Sequence, residues 1–188
     1  MSIRNAPADQ ILDAARSSVL EFGVRRTSIA EIARRAGVSR PTVYRRWPDT
    51  RSIVADLLTR EIALARPSAT GTGTSREQLV RMVVETVESV RTHPLFVKIL
   101  RSDPDLLLTY IVERLGTSQR AILDRLVPAI EAGHVDGSIR AGDPLAIATM
   151  LLLMAQSVVQ SAGMVADLVP PDVVQAELAA AVDAYLAG

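Results

Sequence analysis

The sequence predicts an all-α protein, and three observations support this. Apolar residues recur at helical spacings along most of the 188 residues, and no segment alternates apolar and polar residues as a half-buried strand does. Prolines, glycines and capping residues divide this pattern into segments of helical length. With 48% hydrophobic residues the chain can bury a sizeable core, and it is too apolar to be disordered.

Four helices are expected in the first third of the chain, at about residues 8–22, 28–36, 40–46 and 51–65. The second begins at Ser28-Ile-Ala-Glu31, the capping-box spacing in which each polar side chain bonds the other residue's backbone amide. It ends at Gly37, because glycine tolerates the left-handed backbone of a tight interhelical turn. Pro41 is compatible with the third helix because it lies in the first turn.

The stretch from Pro67 to Ser75 is rich in glycine, serine and threonine and is the expected domain joint. Further helical segments are expected at about residues 75–93, 95–100, 104–116, 118–132, 144–164 and 171–186. Residues 144–166 carry no charge, but only Leu145 to Ala155 is strongly apolar, about half of the roughly 20 residues that a bilayer requires. We therefore favour a helix buried between its own core and a partner subunit over a membrane span.

The net charge of zero hides an asymmetry. Residues 1–60 contain 11 arginines and 6 acidic residues, a balance of +5, whereas residues 61–188 contain 10 basic and 15 acidic residues, a balance of −5. Because the first third of the chain is basic and the rest is acidic, we expect only the first third to bind a polyanion.

The composition argues against an enzyme or a metalloprotein. The chain has no cysteine, so thiolate chemistry and cysteine-ligated zinc are absent. It has only two histidines, His93 and His134, which are too few for a histidine-rich metal site and argue against a Ser-His-Asp hydrolase. Glu85 and Glu88 lie on one helix face, but no nucleophile, metal set or phosphate loop accompanies them. We expect no enzymatic activity, no metal and no cofactor. Residues 1–10 lack an apolar signal-peptide core, which favours the cytoplasm.

The stretch from Thr27 to Trp47 carries the functional signal. Two short helices joined by a glycine-containing turn form a helix-turn-helix, and small Ala33 and Ala36 allow the helices to approach closely. The second helix projects arginine, threonine and tyrosine side chains, which are types that bond phosphates and base edges of DNA. The helix start at Ser28 adds free amides where a phosphate could bind.

These residues resemble the TetR family of bacterial transcriptional regulators. The matching positions are Phe22-Gly23, Thr27-Ser28, Ile32-Ala33, Ala36-Gly-Val-Ser39 and Thr42-Val-Tyr44. The resemblance implies an all-α homodimer of about nine helices, in which a three-helix DNA-binding domain precedes a helical ligand-binding and dimerisation domain. It further implies that the short third helix enters the major groove, and that a ligand moves the fourth helix to change the separation of the two reading helices.

The resemblance also assigns domains and DNA contacts. We expect a helix-turn-helix domain at residues 1–50 with an arm at 1–7, a connecting helix at 51–66, the joint at 67–75 and the ligand-binding and dimerisation domain at 76–188. The expected DNA-binding residues are Thr27, Ser28, Ser39, Arg40, Pro41, Thr42, Tyr44, Arg45, Arg46 and Arg51. Those expected at phosphates are Thr27, Ser28, Tyr44, Arg46 and Arg51; those on the base-reading face are Arg40, Pro41, Thr42 and Arg45.

Two positions depart from the family pattern. Pro41 stands where the family often has glycine, so one amide that could reach a phosphate is missing. Thr50 stands where the family often has lysine, and we expect Arg51 to bind the phosphate instead. Trp47 is expected to be a core residue that fixes the third helix, because proteins that read duplex DNA seldom stack on its bases.

The second domain offers apolar and adaptable side chains for a ligand. The expected lining residues are Met82, Val90, His93, Phe96, Leu107, Tyr110, Met150 and Met154. The sequence thus predicts a homodimeric repressor that a small apolar effector releases from a palindromic operator in double-stranded DNA. A transcriptional activator, and a helical protein-binding adaptor without DNA binding, remain as alternatives. Binding to promoter DNA near its own gene separates a regulator from an adaptor.

Overall fold

The computed structural model describes residues 6–64, 72–103 and 117–187. Over these ranges it contains nine α-helices, a short 3-10 turn at Ala162–Met164 and no β-strand, which confirms the predicted all-α class. The helices are α1 (Ala6–Phe22), α2 (Ile29–Arg35), α3 (Arg40–Tyr44), α4 (Thr50–Leu64), α5 (Ser75–Thr92), α6 (Pro94–Ser102), α7 (Thr117–Val135), α8 (Pro144–Ser161) and α9 (Pro171–Ala187). The helix expected at about residues 104–116 lies outside the described residues.

The described helices fall into two compact units. The first contains α1 to α4 together with α6, and the second contains α5 up to Arg91, α7, α8 and α9. Helix α6 therefore belongs with the N-terminal helices, although it follows the expected joint in the sequence. The functional division of the chain into the domains given above stays a prediction.

Helix α1 is the central element of the first unit and contacts α2, α4 and α6. Its buried stripe is Ile11, Ala15 and Val19, which share one helix face. The neighbouring helices bury Ile32 and Ala33 of α2, Val43 of α3, Ile53 and Leu57 of α4, and Leu95 and Ile99 of α6. This core holds α2 and α3 in place, since helices as short as these are not stable alone.

Helices α5, α7, α8 and α9 surround the core of the second unit. Helix α8 buries only one of its sides: Ile147 and Leu151 are 2% and 0% exposed, whereas Leu145, Met150 and Leu153 are 54%, 44% and 51% exposed. An apolar face of α8 therefore lies on the surface of the single chain.

Residues Pro144–Met164 form the one helical stretch, within the part of the chain that is described, that is long and apolar enough to cross a membrane. Their mean hydropathy is 1.7, and 22% of the window is buried inside the chain. A single stretch of this kind is weak grounds for a membrane span, because an interface helix of a soluble protein has the same composition.

Candidate nucleic-acid interface

The turn between α2 and α3 sets the direction in which α3 leaves. Gly37 has a φ of +65°, the left-handed conformation predicted for it. The Val38 N–H donates to the Ala33 carbonyl at 3.0 Å and the Gly37 N–H donates to the Arg34 carbonyl at 3.3 Å, the bond pattern of a Schellman motif. The backbone itself therefore fixes this turn.

Ser28 caps α2 as predicted, but the capping box is only half formed. The Ser28 Oγ accepts a hydrogen bond from the Glu31 N–H at 3.2 Å. The Glu31 carboxylate accepts hydrogen bonds from Arg34 and Arg35 instead of reaching back to the Ser28 amide. The predicted reciprocal bond is wrong, because two guanidinium groups are stronger partners for a carboxylate than one neutral amide. The exposed Ser28 hydroxyl can still donate to a phosphate.

Thr27 lies beneath this helix start rather than on the surface. Its side chain is 6% exposed, and its hydroxyl donates to the Gly23 carbonyl at 2.8 Å. The Ser18 Oγ lies 3.3 Å from the same hydroxyl. Although it is among the expected DNA-binding residues, Thr27 therefore offers no exposed hydroxyl, and the structure gives its side chain a supporting position next to Ser28.

The arginines of α2 are engaged with acidic side chains. Hydrogen bonds from Arg34 and Arg35 lower the pKa of Glu31 to about 2. Arg35 also donates to the Glu21 carboxylate at 2.6 Å. These pairs neutralise the charge of the two guanidinium groups, so α2 itself offers little positive charge to DNA.

Helix α3 begins with a side-chain cap and a proline. The Ser39 Oγ accepts a hydrogen bond from the Thr42 N–H at 3.3 Å, and the two hydroxyl oxygens lie 2.8 Å apart. Pro41 occupies the first turn as predicted. Ser39, Arg40 and Pro41 are exposed, and Thr42 is half-buried. The start of α3 thus presents short polar side chains beside an arginine.

The end of α3 and the residues after it form a basic surface. Tyr44, Arg45 and Arg46 are exposed, as is Arg51 in the first turn of α4. Among the ion pairs of the described residues, none involves Arg40, Arg45, Arg46 or Arg51. We call Ser28, Ser39 to Thr42, Tyr44 to Arg46, and Arg51 the reading surface.

Trp47 anchors the end of α3 to α4. Its side chain is 2% exposed, and its Nε1–H donates to the Asp56 carboxylate at 2.8 Å. The Arg46 guanidinium carbon lies 5.1 Å from the centre of the Trp47 ring, within the range of a cation–π contact. The predicted core role of Trp47 is confirmed by this burial.

Asp49 caps α4, a feature that the sequence reasoning missed. The Ser52 N–H donates to the Asp49 Oδ1 at 2.7 Å, and the Asp49 N–H donates to the Ser52 Oγ at 3.4 Å. The Asp-x-x-Ser spacing before an apolar stripe is the signal that would have indicated it. This cap fixes the first turn of α4, and with it the position of Arg51.

The expected ligand-binding residues fall in both units and in a part of the chain that the structure does not describe. His93 and Phe96 lie in the first unit, whereas Met82, Val90, Met150 and Met154 lie in the second. Leu107 and Tyr110 lie outside the described residues. Of the six described residues, Val90 and Phe96 are buried and Met150 is exposed. The ligand assignment therefore stays a prediction.

A small cavity of about 10 Å³, room for about one water molecule, lies between α5, α8 and α9 in the second unit. Its wall is apolar over much of its area, with an ion pair of Arg91 and Glu88 at one side. The apolar lining includes Val84, Val87, Val158, Val174 and Leu178. None of the expected ligand-binding residues lines this cavity.

Two short helices joined by a fixed turn, the second of them carrying a basic surface, define a helix-turn-helix DNA-binding protein. The family model of bacterial regulatory proteins, tetR family, matches residues 11–57. An uncharacterized HTH-type transcriptional regulator of Mycobacterium tuberculosis is 44% identical over 189 residues, covering 99% of this chain and 99% of the relative. The chain belongs to the TetR family, and it is therefore a transcriptional regulator and not an enzyme.

Solved structures show the same fold at low sequence identity. The transcriptional repressor QsdR of R. erythropolis gives a TM-score of 0.75 at 13% identity, covering 97% of this chain and 95% of that chain. FadR of Bacillus subtilis, solved in complex with stearoyl-CoA, gives a TM-score of 0.64 at 19% identity, with 94% and 98% of the two chains covered.

Proposed function

We propose that this regulator is a cytoplasmic, ligand-responsive repressor that binds a palindromic operator as a homodimer. The observation that carries the proposal is the reading surface, whose arginines are not paired with acidic side chains in the described residues. Unpaired, exposed guanidinium groups can bond guanine edges and phosphates without first losing another partner. The buried Trp47 and the capped start of α4 keep those groups on a rigid support.

Base reading and phosphate binding fall to different residues of the reading surface. Arg40, Thr42 and Arg45 on α3 are assigned to base edges, where arginine bonds guanine and threonine contacts a base or its methyl group. Ser28, Tyr44, Arg46 and Arg51 are assigned to phosphates, which fix the register without carrying sequence information.

The apolar face of α8 supports assembly with a second copy of the chain. The exposed Leu145, Met150 and Leu153 form an apolar surface on one helix, a feature that is typical of an interaction site. Helix α9 exposes Val173 at 42% together with several alanines, which allow close helix contact. Helices α8 and α9 from each subunit would make a two-fold contact, and a two-fold dimer reads a palindrome.

The effector is proposed to be a small and mostly apolar organic molecule. The support for this is the fold shared with a ligand-binding regulator, because the cavity between α5, α8 and α9 has room for only about one water molecule. FadR, a protein of the same fold, was solved with stearoyl-CoA. An effector that prefers one of two dimer geometries would weaken operator affinity roughly 5- to 150-fold, a coupling of about 1–3 kcal/mol.

The test of the function is binding to duplex DNA from the promoter next to its own gene. We expect Arg45→Ala to lower discrimination between this promoter and altered sequences by about 1–3 kcal/mol, because a bidentate base contact is lost. Tyr44→Phe is the control: it removes only a phosphate bond and should weaken all sequences about equally. Fluorescence anisotropy with a panel of duplexes measures both. Unchanged sequence preference in Arg45→Ala would contradict the placement of the base-reading face.

Operator binding is also expected to weaken steeply with salt. If a dimer neutralises about six to eight phosphates, counterion release gives a slope of about −5 to −7 for log K against log salt concentration. Arg46→Ala should make this slope shallower by about two per dimer, whereas Ser28→Ala removes a neutral contact and should leave it unchanged. A slope near zero for the wild-type protein would rule out phosphate neutralisation and favour an adaptor without DNA binding.

A further inference from the structure

Asp103 is a buried carboxylate whose role the reading surface does not explain. It follows α6 directly and is 2% exposed. Its Oδ2 accepts hydrogen bonds from the Val24 N–H at 2.9 Å and from the Ser102 hydroxyl at 2.8 Å, and its Oδ1 lies 3.1 Å from the Arg25 Nε. Burying a charge is costly unless such partners replace the lost water. Val24 and Arg25 belong to the turn between α1 and α2, so the carboxylate joins α6 to that turn.

The same turn approaches the end of α6 closely at Gly23. This glycine has a φ of +80°, and a Cβ placed there would lie 3.1 Å from the Ser102 Oγ and 3.3 Å from the Asp103 Oδ2. Both the backbone conformation and the available space therefore favour glycine. The contact is a close approach of backbone to a buried carboxylate, unlike a loose ion pair on the surface.

The turn leads directly into the start of α2. The Thr27 N–H donates to the Val24 carbonyl at 3.0 Å, and the Thr27 hydroxyl donates to the Gly23 carbonyl at 2.8 Å. Ser28, the next residue, caps α2 and belongs to the reading surface. Val24 is therefore hydrogen-bonded both to Asp103 and to the residue that precedes Ser28.

Helix α6 is also linked to the DNA-binding helices at its N-cap residue, His93. The His93 Nδ1 accepts a hydrogen bond from the Leu95 N–H at 3.3 Å, while its Nε2 lies 3.3 Å from the Glu61 carboxylate of α4. Glu61 is buried, and the Arg16 Nε of α1 lies 3.3 Å from the same oxygen. Because both ends of α6 are held, α6 cannot shift along its axis without moving α4 or the turn between α1 and α2.

We propose that Asp103 is a positioning residue for operator binding. It does not contact DNA; it holds the turn between α1 and α2 against the end of α6, and through that turn it places the phosphate-binding Ser28. If α6 moves, Asp103 then transmits the movement to Ser28, at one end of the reading surface. This inference rests on the proposed function, because it concerns the affinity for operator DNA.

Asp103→Asn in the full-length protein tests the proposal by the sign of its effect. Removing one negative charge near a polyanion should by itself strengthen DNA binding. A loosened turn should weaken it, and we expect about 3- to 30-fold lower affinity for the promoter duplex, since the Arg25 ion pair is lost and the Val24 N–H bonds a neutral oxygen instead of a carboxylate. The salt slope should not change, because the Ser28 contact that is weakened carries no charge. Affinity equal to or higher than that of the wild type would overturn the proposal.

Two further variants control for charge and for folding. Asp13→Asn removes the same charge from an exposed acid of α1 that bonds Arg60 and not the turn, and it should bind DNA at least as tightly as the wild type. Gly23→Ala crowds the Asp103 contact from the other side and should reproduce the loss of affinity. If Asp103→Asn lowers the affinity for DNA and Gly23→Ala does not, the result would count against the proposal that Asp103 acts through the turn between α1 and α2.

The double variant of Asp103→Asn with Ser28→Ala shows whether the two residues act together. If Asp103 acts through Ser28, the double variant binds DNA about as weakly as the weaker-binding single variant. Simple addition of the two losses of binding free energy would overturn the proposal.

Hydrogen exchange of the protein without DNA gives an independent readout. The amides of residues 23–29 should exchange faster in Asp103→Asn, and those of α4 should not. Unchanged exchange overturns the positioning role, whereas failure of the wild type to bind promoter DNA overturns the proposed function instead.

Discussion

Replacing Trp47 with alanine is expected to remove about 3–5 kcal/mol of unfolding free energy and to abolish operator binding. The indole is 2% exposed and its N–H donates to Asp56, so it ties the end of α3 to α4. Helix α3 has only five residues and cannot remain ordered alone. Loss of the indole therefore releases Arg45 and Arg46 from fixed positions. Urea unfolding followed by circular dichroism, with anisotropy for DNA binding, measures both losses.

Trp47→Phe separates packing from hydrogen bonding at this position. The phenyl ring keeps much of the buried surface, but the Asp56 carboxylate loses its donor, so we expect a smaller loss of about 1–3 kcal/mol. Tyr44→Phe is the surface control, since the Tyr44 side chain is 55% exposed, and it should leave stability unchanged. Wild-type affinity in Trp47→Ala would show that Trp47 does not hold the reading helix.

Leu153→Arg is expected to separate the dimer and, with it, most of the operator affinity. Leu153 is 51% exposed in the single chain, on the apolar face of α8. A two-fold contact would contain the substitution twice, and two unpaired guanidinium groups in apolar surface should raise the dimer dissociation constant by on the order of 100-fold or more. A monomer reads only one half-site. Sedimentation velocity at micromolar concentration, followed by DNA binding, measures the effect.

Val135→Arg is the matched control for Leu153→Arg. Val135 is 90% exposed at the end of α7, in the same unit but not on α8 or α9. The variant should sediment and bind DNA as the wild type does. A Leu153→Arg variant that stays dimeric would place the subunit contact elsewhere. A monomeric wild type would remove dimerisation from the mechanism.

Features decided by neighbouring residues could be predicted from the sequence. The cap at Ser28, the left-handed Gly37 and the first-turn Pro41 all agree with the structure, because each depends on backbone groups within one helical turn. The exposed residues of α3 also agree, because a helix-turn-helix motif fixes which face of so short a helix is covered.

Features decided by distant residues could not be predicted. The sequence predicts that the helix at about residues 118–132 ends before Gly133, yet α7 continues to Val135. Ile139 folds back against Gly133, and a side chain at that position would collide with it. The expected ligand-binding residues are similarly spread over both units, because helical spacing reveals a buried face but not the helix that covers it.

The sequence by itself determined the all-α class and the helix-turn-helix, and it predicts the residues that read DNA. Helical period, caps and turn glycines are local, and their chemistry is complete within a few residues. Only the tertiary structure decided that Thr27 is buried, that α6 belongs with the N-terminal helices and that Asp103 holds Val24. The last contact joins residues 79 positions apart. A carboxylate after a helix is ordinary in a sequence, and its role depends on burial and on partners that only the packed chain supplies.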